Sequence, residues 1–345
     1  MKLGIGLAYW GLGFTKDDQR GVAVEAERLG FDSLWVAEAY GSDAVSVLAW
    51  LAAATSRIRL GSAIMQIPAR PATLTAMSAA TLDQLSDGRF SLGLGLSGPQ
   101  VSEGWYGVHY ARQLQRTRDY LAVVRMALAR DRVVHDGPTL QLPLPDGPGR
   151  ALKLTIGPRQ DTIPILLAAM GPRNVALAGE IADGWIPTFF SPEHVDQLRR
   201  PLVEGAQRAG RNPADIAICP QVGICVDDDL DAARDAMRPL LSLYIGGMGS
   251  REKNFYLDLV SSYGFGAAAR DIQQLYLAGR KAQAAAAVPT ELIDRTSICG
   301  PPHVVRQRLN DYQQAGVDTL ILIPTADGSA ALHTQLQRIA AVRNS

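Results

Sequence analysis

The stretch from Arg57 to Gly107 decides the fold: RIRLGSAIMQIPARPATLTAMSAATLDQLSDGRFSLGLGLSGPQVSEGWYG. It predicts a strand, a loop, a helix, a second strand and a final loop. Pro71 suits the first turn of the helix, where a missing N–H removes no intrahelical bond. Gly88 is typical of the position just after a helix. Two apolar strands joined by a helix should be parallel and buried on both faces.

The helix between these strands is expected to pack against the sheet through large apolar side chains. Helical spacing assigns four of them to one face, namely Leu74, Met77, Leu82 and Leu85. Such a stripe normally faces the core of a globular protein.

Small residues end both predicted strands. Gly and Ser at the carboxyl end of a strand leave room for a ligand near the backbone. Tight helix–sheet packing explains Gly61 and Gly93 equally well. The run SGPQ at residues 97–100 favours a ligand more strongly, because it places polar groups where packing alone does not want them.

The composition of the 345-residue chain is that of an ordinary globular protein, with 47% apolar and 20% charged residues. Its formal net charge is zero, so no nucleic-acid partner is expected. No segment resembles a membrane span or a secretory signal, which predicts a cytoplasmic protein. Three cysteines without metal-ligand spacing and five scattered histidines favour reduced thiols and no metal site.

Eight strand candidates alternate with helices along the chain. The third covers residues 58–65 and the seventh residues 216–226, and residues 297–302 are expected to start a helix. This alternation predicts a parallel sheet, and the number eight favours a closed (β/α)8 TIM barrel over an open doubly wound sheet. Residues 1–345 are expected to form one barrel domain with excursions near 135–162 and 227–296, of which the larger lies between strands seven and eight. The Gly-x-Gly elements lie inside strands and none reads GxGxxG, which argues against a Rossmann fold.

Polar residues follow several of these strands. Glu38 ends the second strand, SLWVAE, and the alternative to a functional role is an ion pair with a neighbouring loop. Asp43 is expected to cap the next helix. Gly171, Pro172 and Arg173 open a helix whose free N–H groups and dipole suit a phosphate, although a plain turn explains them equally well.

Ligands of a barrel bind over the carboxyl ends of the strands. The features that the local sequence singles out all lie there: Trp10, Glu38, and residues 62–65, 97–103 and 171–174. Each stands out for a local reason that is independent of the fold. Their convergence therefore predicts a binding site at this end of the sheet.

Two motifs resemble the bacterial luciferase-like flavin oxidoreductases, and within them the branch that uses the deazaflavin coenzyme F420 and includes the methylenetetrahydromethanopterin reductases. They occupy residues 60–107 and 168–185, the latter reading AAMGPRNVALAGEIADGW. The resemblance covers most of the chain, including CGPPHVVRQRL and GVDTLIL near the end. The segment SGPQVSEGW is quite specific, because FMN-using monooxygenase branches usually differ after the fourth strand.

The resemblance implies that F420 lies over the strand ends of a (β/α)8 barrel. In this family the third strand commonly carries a bulge with a non-proline cis peptide behind the ring. The cofactor-binding residues implied are Ser62, Ala63, Ile64 and Met65 at the bulge, Ser97, Gly98 and Pro99 at the ring or ribityl chain, and Gly171, Pro172 and Arg173 at the phosphate.

The chemistry implied is hydride transfer between the deazaflavin and an organic substrate. Glu38 and Glu103 are the candidates for proton transfer, because a desolvated carboxyl can have its pKa raised toward neutrality. Trp10, Tyr40 and Trp105 are expected to line the substrate pocket. A homodimer formed through helices, for example at residues 45–54, is typical of the family.

Two positions depart from relatives with particular substrates. Gly6 stands where the methylenetetrahydromethanopterin reductases carry a carboxylate, and Ala39 where the sugar-phosphate dehydrogenases carry a histidine. The sequence therefore predicts an F420-dependent enzyme with another substrate, in a pocket shaped by residues 243–266. The alternatives are an FMN-dependent monooxygenase with a separate reductase and a non-catalytic flavin-binding barrel.

Overall fold

The computed structural model describes residues 1–7, 14–249, 254–326 and 328–344. The strands are β1 (Lys2–Leu7), β2 (Ser33–Val36), β3 (Arg59–Ser62), β4 (Met65–Gln66), β5 (Phe90–Gly95), β6 (His135–Asp136), β7 (Gln141–Leu142), β8 (Ile165–Leu167), β9 (Gly184–Trp185), β10 (Ala217–Ile218), β11 (Gln221–Val226), β12 (Ser297–Gly300) and β13 (Thr319–Pro324). The helices are α1 (Lys16–Arg28), α2 (Ala44–Ala54), α3 (Ala72–Leu85), α4 (Pro99–Ser102), α5 (Gln113–Leu128), α6 (Pro172–Ile181), α7 (Val195–Arg208), α8 (Leu230–Gly247), α9 (Phe255–Val260), α10 (Gly266–Leu277), α11 (Lys281–Ala286), α12 (Thr290–Thr296), α13 (Pro302–Gln314) and α14 (Ser329–Asn344).

The sheet is parallel and curls back on itself. Its strand order is β10-β9-β8-β5-β3-β2-β1-β13-β11-β12, with β4 paired to β5. Strands β10 and β11 follow each other in the chain but lie near opposite ends of this order, because β10 pairs with β9 and β11 pairs with β13. Thr188 forms a further parallel bridge to Gln221. Buried apolar side chains fill the space between the sheet and the helices. The predicted α/β class with a parallel sheet is confirmed.

Two of the predicted strands are each divided into two shorter strands. The third is interrupted by a cis peptide bond between Ala63 and Ile64, which separates β3 from β4. The seventh is interrupted at Cys219 and Pro220. A proline lacks the N–H that a ladder needs, so it divides the segment into β10 and β11.

One strand was not predicted. Residues 297–300, expected to start a helix, instead form β12 beside β11. The helix begins only at Pro302. The sequence SICG is short and apolar, and such a run is a strand or a helix according to what lies beside it.

The prediction for the buried face of α3 was wrong. Leu74, Met77 and Leu85 are 45%, 51% and 55% exposed, and only Leu82 is buried. The buried side consists mainly of small residues, namely Ala72, Thr75, Ala76, Ala79, Ala80, Leu82 and Asp83. Small side chains let the helix lie close to its neighbours, which leaves the large apolar side chains on the outer surface.

Sequence signals at helix ends predicted the structure better than the apolar pattern of α3 did. Thr15 caps α1 with a reciprocal capping box, and the Asp43 carboxylate accepts a hydrogen bond of 2.8 Å from Ser46 N at the start of α2. Gly88, which follows the Ser86 cap of α3 after one further residue, has a positive φ of 79°. Between β11 and β13 lie α8 to α13 and β12, and the short antiparallel pair β6–β7 lies within residues 135–162. Within the described ranges no helix is long and apolar enough to cross a membrane.

Candidate active site

A cavity of about 500 Å³ opens at the carboxyl ends of the strands. Leu7 of β1, Leu167 of β8 and Ile323 of β13 line it, together with residues of α8 and α9. The predicted site residues that line it are Glu38, Tyr40, Ala63, Ile64, Ser97, Gly98 and Pro99. The structure therefore brings together loops that are far apart in the sequence.

Other predicted site residues lie beside the cavity or away from it. Ser62 and Met65 are fully buried in the strands behind it. Gly171, Pro172 and Arg173 are exposed at the start of α6, next to Met170 and Asn174, which line the cavity. Trp10 lies outside the described residues.

Glu103 and Trp105 are not among the lining residues that the structure describes. Trp105 is 63% exposed. Glu103 is exposed as well, and its Oε1 accepts a hydrogen bond of 2.8 Å from Tyr110 N. This contact closes the loop that follows α4 and leaves Glu103 facing solvent.

The floor of the cavity consists of residues 38, 63, 64, 66 and 95–97. The cis peptide bond lies between Ala63 and Ile64, within the range that the resemblance implies, and both residues line the cavity. Ala63 N donates to Val36 O over 2.8 Å, and Glu38 N donates to Ile64 O over 3.2 Å. These bonds hold the bulge against the end of β2.

Glu38 is enclosed by hydrogen-bond donors. Arg70 donates two bonds to its carboxylate, of 2.6 and 2.8 Å, and the Glu38 side chain is only 2% exposed. Ala44 N at the start of α2 donates to Oε1 over 3.1 Å, and Gln66 N donates to Oε2 over 2.9 Å. Both oxygens are thus occupied, and the carboxylate joins β2, α2 and β4 into one unit. This is the ion pair that the sequence left as the alternative to a functional role.

Gln66 is a site residue that the sequence analysis missed. Its side chain is buried, lines the floor and donates from Nε2 to Ser97 Oγ over 2.5 Å. Its Oε1 has no hydrogen-bond partner among the described residues. Ser97 meets it from a left-handed backbone conformation with φ of 58°. The only sequence signal for Gln66 as a site residue was its position as a polar residue directly after the apolar run AIM.

The glycines of the strands are explained by packing. A Cβ on Gly61 would lie 2.4 Å from the Trp35 ring, and one on Gly93 would lie 2.0 Å from Ser62 O. Both are too close for any side chain, but Trp35 and Ser62 belong to neighbouring strands, so the tight packing lies within the sheet and not between helix and sheet as expected. The Ser62 hydroxyl also donates to Gly93 O over 2.8 Å and accepts from Gly93 N over 2.9 Å.

Two tyrosines lie on the side of the cavity near α4. Tyr110 lines the cavity, and burial raises the pKa of its phenol. Burial also raises the pKa of Tyr106, an effect to which the charge of Glu38 adds and which Arg70 opposes. Both hydroxyls therefore remain protonated at neutral pH.

Another part of the lining is an aromatic wall formed by Leu240, Tyr244, Met248, Phe255 and Tyr256. The rings of Tyr244 and Tyr256 meet edge to face with centroids 4.9 Å apart. Each also contacts the Phe189 ring, at centroid distances of 5.8 and 5.6 Å. Four of the five wall residues fall in residues 243–266, the segment that the sequence analysis assigned to the substrate pocket.

Comparison with known proteins identifies the family. The model of the luciferase-like monooxygenase family matches residues 6–319. This chain belongs to that family. The predicted resemblance is confirmed, and the cavity of this luciferase-like protein lies where the family resemblance implies its ligand site.

Named relatives and solved structures add detail. A protein of Mycobacterium tuberculosis named as a coenzyme F420-dependent oxidoreductase is 44% identical over 329 residues, covering 93% of this chain and 94% of that protein. The coenzyme F420-dependent tetrahydromethanopterin reductase from Methanopyrus kandleri superposes with a TM-score of 0.84 at 22% identity, covering 98% and 97% of the two chains. An F420-dependent secondary alcohol dehydrogenase in complex with an F420-acetone adduct superposes with a TM-score of 0.79 at 20% identity, covering 99% of each. These two superpositions show that this luciferase-like chain shares their fold.

Proposed function

We propose that this protein is an F420-dependent oxidoreductase that exchanges a hydride between the deazaflavin coenzyme and a small organic substrate. The observation that carries the proposal is the floor, where a buried, half-satisfied glutamine lies at the strand ends of a luciferase-like chain. The 44% identity to a protein named for F420 dependence supports the choice of coenzyme.

The described residues fit a deazaflavin ring. Ala63, Ile64 and Gly95 line the floor with apolar groups, which suit a stacked ring. Gln66 Oε1, which has no partner within the described chain, is a hydrogen-bond acceptor suited to an N–H at the polar edge of the ring. At the start of α6, the exposed Arg173 and the free N–H groups suit the coenzyme phosphate.

The bound coenzyme would supply the hydride chemistry, and the protein would orient it. Glu38 is best suited to positioning, because its four hydrogen bonds fix the bulge at Ile64 and leave neither oxygen unoccupied. Glu103 retains the role of a candidate proton donor only if the loop after α4 turns it inward. The protonated phenol of Tyr110, which lines the cavity, is a further candidate.

We also propose that the chain forms a single (β/α)8 barrel with its largest insertion between strands seven and eight. A cytoplasmic homodimer is the proposed form of the protein. The exposed apolar side chains of α2 and α3 support this assembly: Trp50, Leu74, Met77 and Leu85. Such a surface is typical of a contact between protein chains.

The decisive experiment is a titration of the purified protein with F420 and, in parallel, with FMN, followed by absorbance and fluorescence. We expect binding of F420 in the micromolar range and much weaker binding of FMN. A preference for FMN would replace the proposal with an oxygen-activating monooxygenase. Tight binding of F420 without turnover of any substrate would leave a non-catalytic binding barrel.

A further inference from the structure

The part of the cavity lining that the structure describes is almost free of charge. Among the lining residues that the structure describes, Glu38 alone carries a charged side chain, and Arg70 neutralises it from behind. Gly6 and Ala39, the positions where relatives with charged substrates are expected to carry an acid and a histidine, line the cavity without a charge. A phosphate or carboxylate brought against this lining would lose its water and gain no opposite charge.

The aromatic wall is suited to an apolar body. Leu240 and Met248 add flexible aliphatic surface beside the rings of Tyr244 and Tyr256. Aromatic rings favour edge-to-face or offset stacking with another ring, and methionine adapts to different shapes. The wall and the floor face the same space, so a ligand on the wall would lie against whatever occupies the floor.

Two uncharged polar residues, Thr188 and Gln221, line the same cavity as the wall and the floor. Thr188 and Gln221 are joined by a parallel bridge at the strand ends, and both line the cavity. The structure gives neither side chain a hydrogen-bond partner among the described residues, since Gln221 uses only its backbone N–H, which donates to Pro187 O over 2.9 Å. A hydroxyl and a carboxamide are good donors to a neutral carbonyl oxygen.

We propose that the second ligand is an uncharged, largely apolar carbonyl compound or the corresponding alcohol. Its oxygen is bound by Thr188 and Gln221, and its apolar body lies on the aromatic wall. The assignment rests on the proposed function, because a hydride carrier must occupy the floor. In the reducing direction the reduced coenzyme would supply a hydride to the carbonyl carbon, and Tyr110 or water would supply a proton to the oxygen, so that C=O becomes CH–OH and the coenzyme is oxidised by two electrons.

The test compares three ligands with one skeleton, measured by calorimetry on F420-loaded protein: 2-acetonaphthone, 2-ethylnaphthalene and 2-naphthoate. The ketone should bind at least about tenfold more tightly than the anion. Gln221→Leu should weaken the ketone by about fivefold while changing the binding of 2-ethylnaphthalene, which lacks the oxygen, by less than about twofold. Equal or tighter binding of the anion, or no binding of the ketone at millimolar concentration, would overturn the inference. An unchanged affinity of Gln221→Leu for the ketone would overturn the assigned role of that side chain.

A charge-insertion variant gives a second test. Leu240→Arg on the wall should weaken the ketone and strengthen 2-naphthoate, whereas Leu277→Arg, on the exposed surface of α10, should change neither. The ligand comparison on the unaltered protein stands even if Leu240→Arg fails to fold. The F420 titration separates the two proposals: without F420 binding the proposed function is wrong, whereas F420 binding together with equal affinity for ketone and anion removes only the carbonyl assignment.

Discussion

The floor and the aromatic wall enclose the same cavity but are held in different ways. The floor depends on directed bonds, four of them to the Glu38 carboxylate and one from Gln66 to Ser97. The wall depends on ring contacts between Tyr244, Tyr256 and Phe189. Directed bonds fix a geometry to within tenths of an ångström, whereas apolar contacts tolerate a change of shape. A fixed floor suits one invariant coenzyme, and an adaptable wall suits the choice of substrate.

The largest change in the free energy of unfolding should come from removing the ion pair of the floor between Glu38 and Arg70. Glu38→Ala leaves the buried Arg70 guanidinium without its partner, and we expect the free energy of unfolding to fall by about 3–5 kcal/mol. Urea unfolding followed by circular dichroism measures this loss. The double variant Glu38→Ala/Arg70→Met should recover part of it. A loss of less than about 1 kcal/mol for the single variant would mean that the floor does not depend on this pair.

Glu27, a carboxylate outside the cavity, tests whether hydrogen bonds stabilise the fold there as much as they do at Glu38. Burial raises the pKa of Glu27, but bonds from the backbone N–H groups of Ile58, Arg57 and Ser56 outweigh it and lower the pKa to about 2. This stabilisation is complete above the unfolded pKa near 4.5 and is lost as the pH falls toward 2. Glu27→Gln should remove about 1–2 kcal/mol at pH 7 after solvent screening, and almost nothing at pH 2. Unfolding curves at the two pH values measure the difference, and a loss that is equal at both would contradict it.

The wall should respond in ligand binding more than in stability. Tyr244→Ala removes a ring that contacts two others, and we expect the ketone to bind about tenfold more weakly. The affinity for F420 should change by less than about twofold. Tyr244→Phe keeps the ring contacts and serves as the matched control. Equal losses for both ligands would show that wall and floor are not separate sites.

The converse test changes the floor and should weaken the binding of F420 but not that of the ketone. Gln66→Leu removes the unpartnered Oε1 and the bond to Ser97, and we expect F420 to bind about fivefold more weakly, which corresponds to about 1 kcal/mol. Ketone affinity, measured on protein saturated with F420, should stay the same. Ser97→Ala, which removes the partner but keeps the glutamine, is the control and should have the smaller effect. An unaltered F420 affinity in Gln66→Leu would exclude the ring edge from this position.

The smallest effect is expected at Glu103, which belongs to neither the floor nor the wall. Glu103→Gln keeps an oxygen that can accept from Tyr110 N, so kcat should change by less than about twofold. Steady-state kinetics with F420 and an accepted substrate measure this. A loss of kcat of more than about tenfold with an unchanged KM would restore Glu103 as the proton donor.

Several features were predictable because their causes are local. Asp43 needs only the three residues that follow it to act as a cap, and Gly88 needs only its own backbone freedom. The position of the cis peptide came from the family resemblance. In contrast, the buried side of α3 depends on how closely its neighbours approach, and the large side chains of Leu74 and Met77 misled the prediction.

The sequence by itself determined the alternation of strands and helices, the helix caps and the set of loops that meet at the strand ends. It left open the roles of Glu38, Gly61 and Gly93, each of which had two explanations. Only the tertiary structure decided among them, by bringing Arg70 to Glu38 across 32 residues of chain, Trp35 against Gly61, and Ser62 against Gly93 across 31 residues. Periodicity and capping act within a few residues, whereas the partners of a buried polar group are fixed by the packing of the whole sheet.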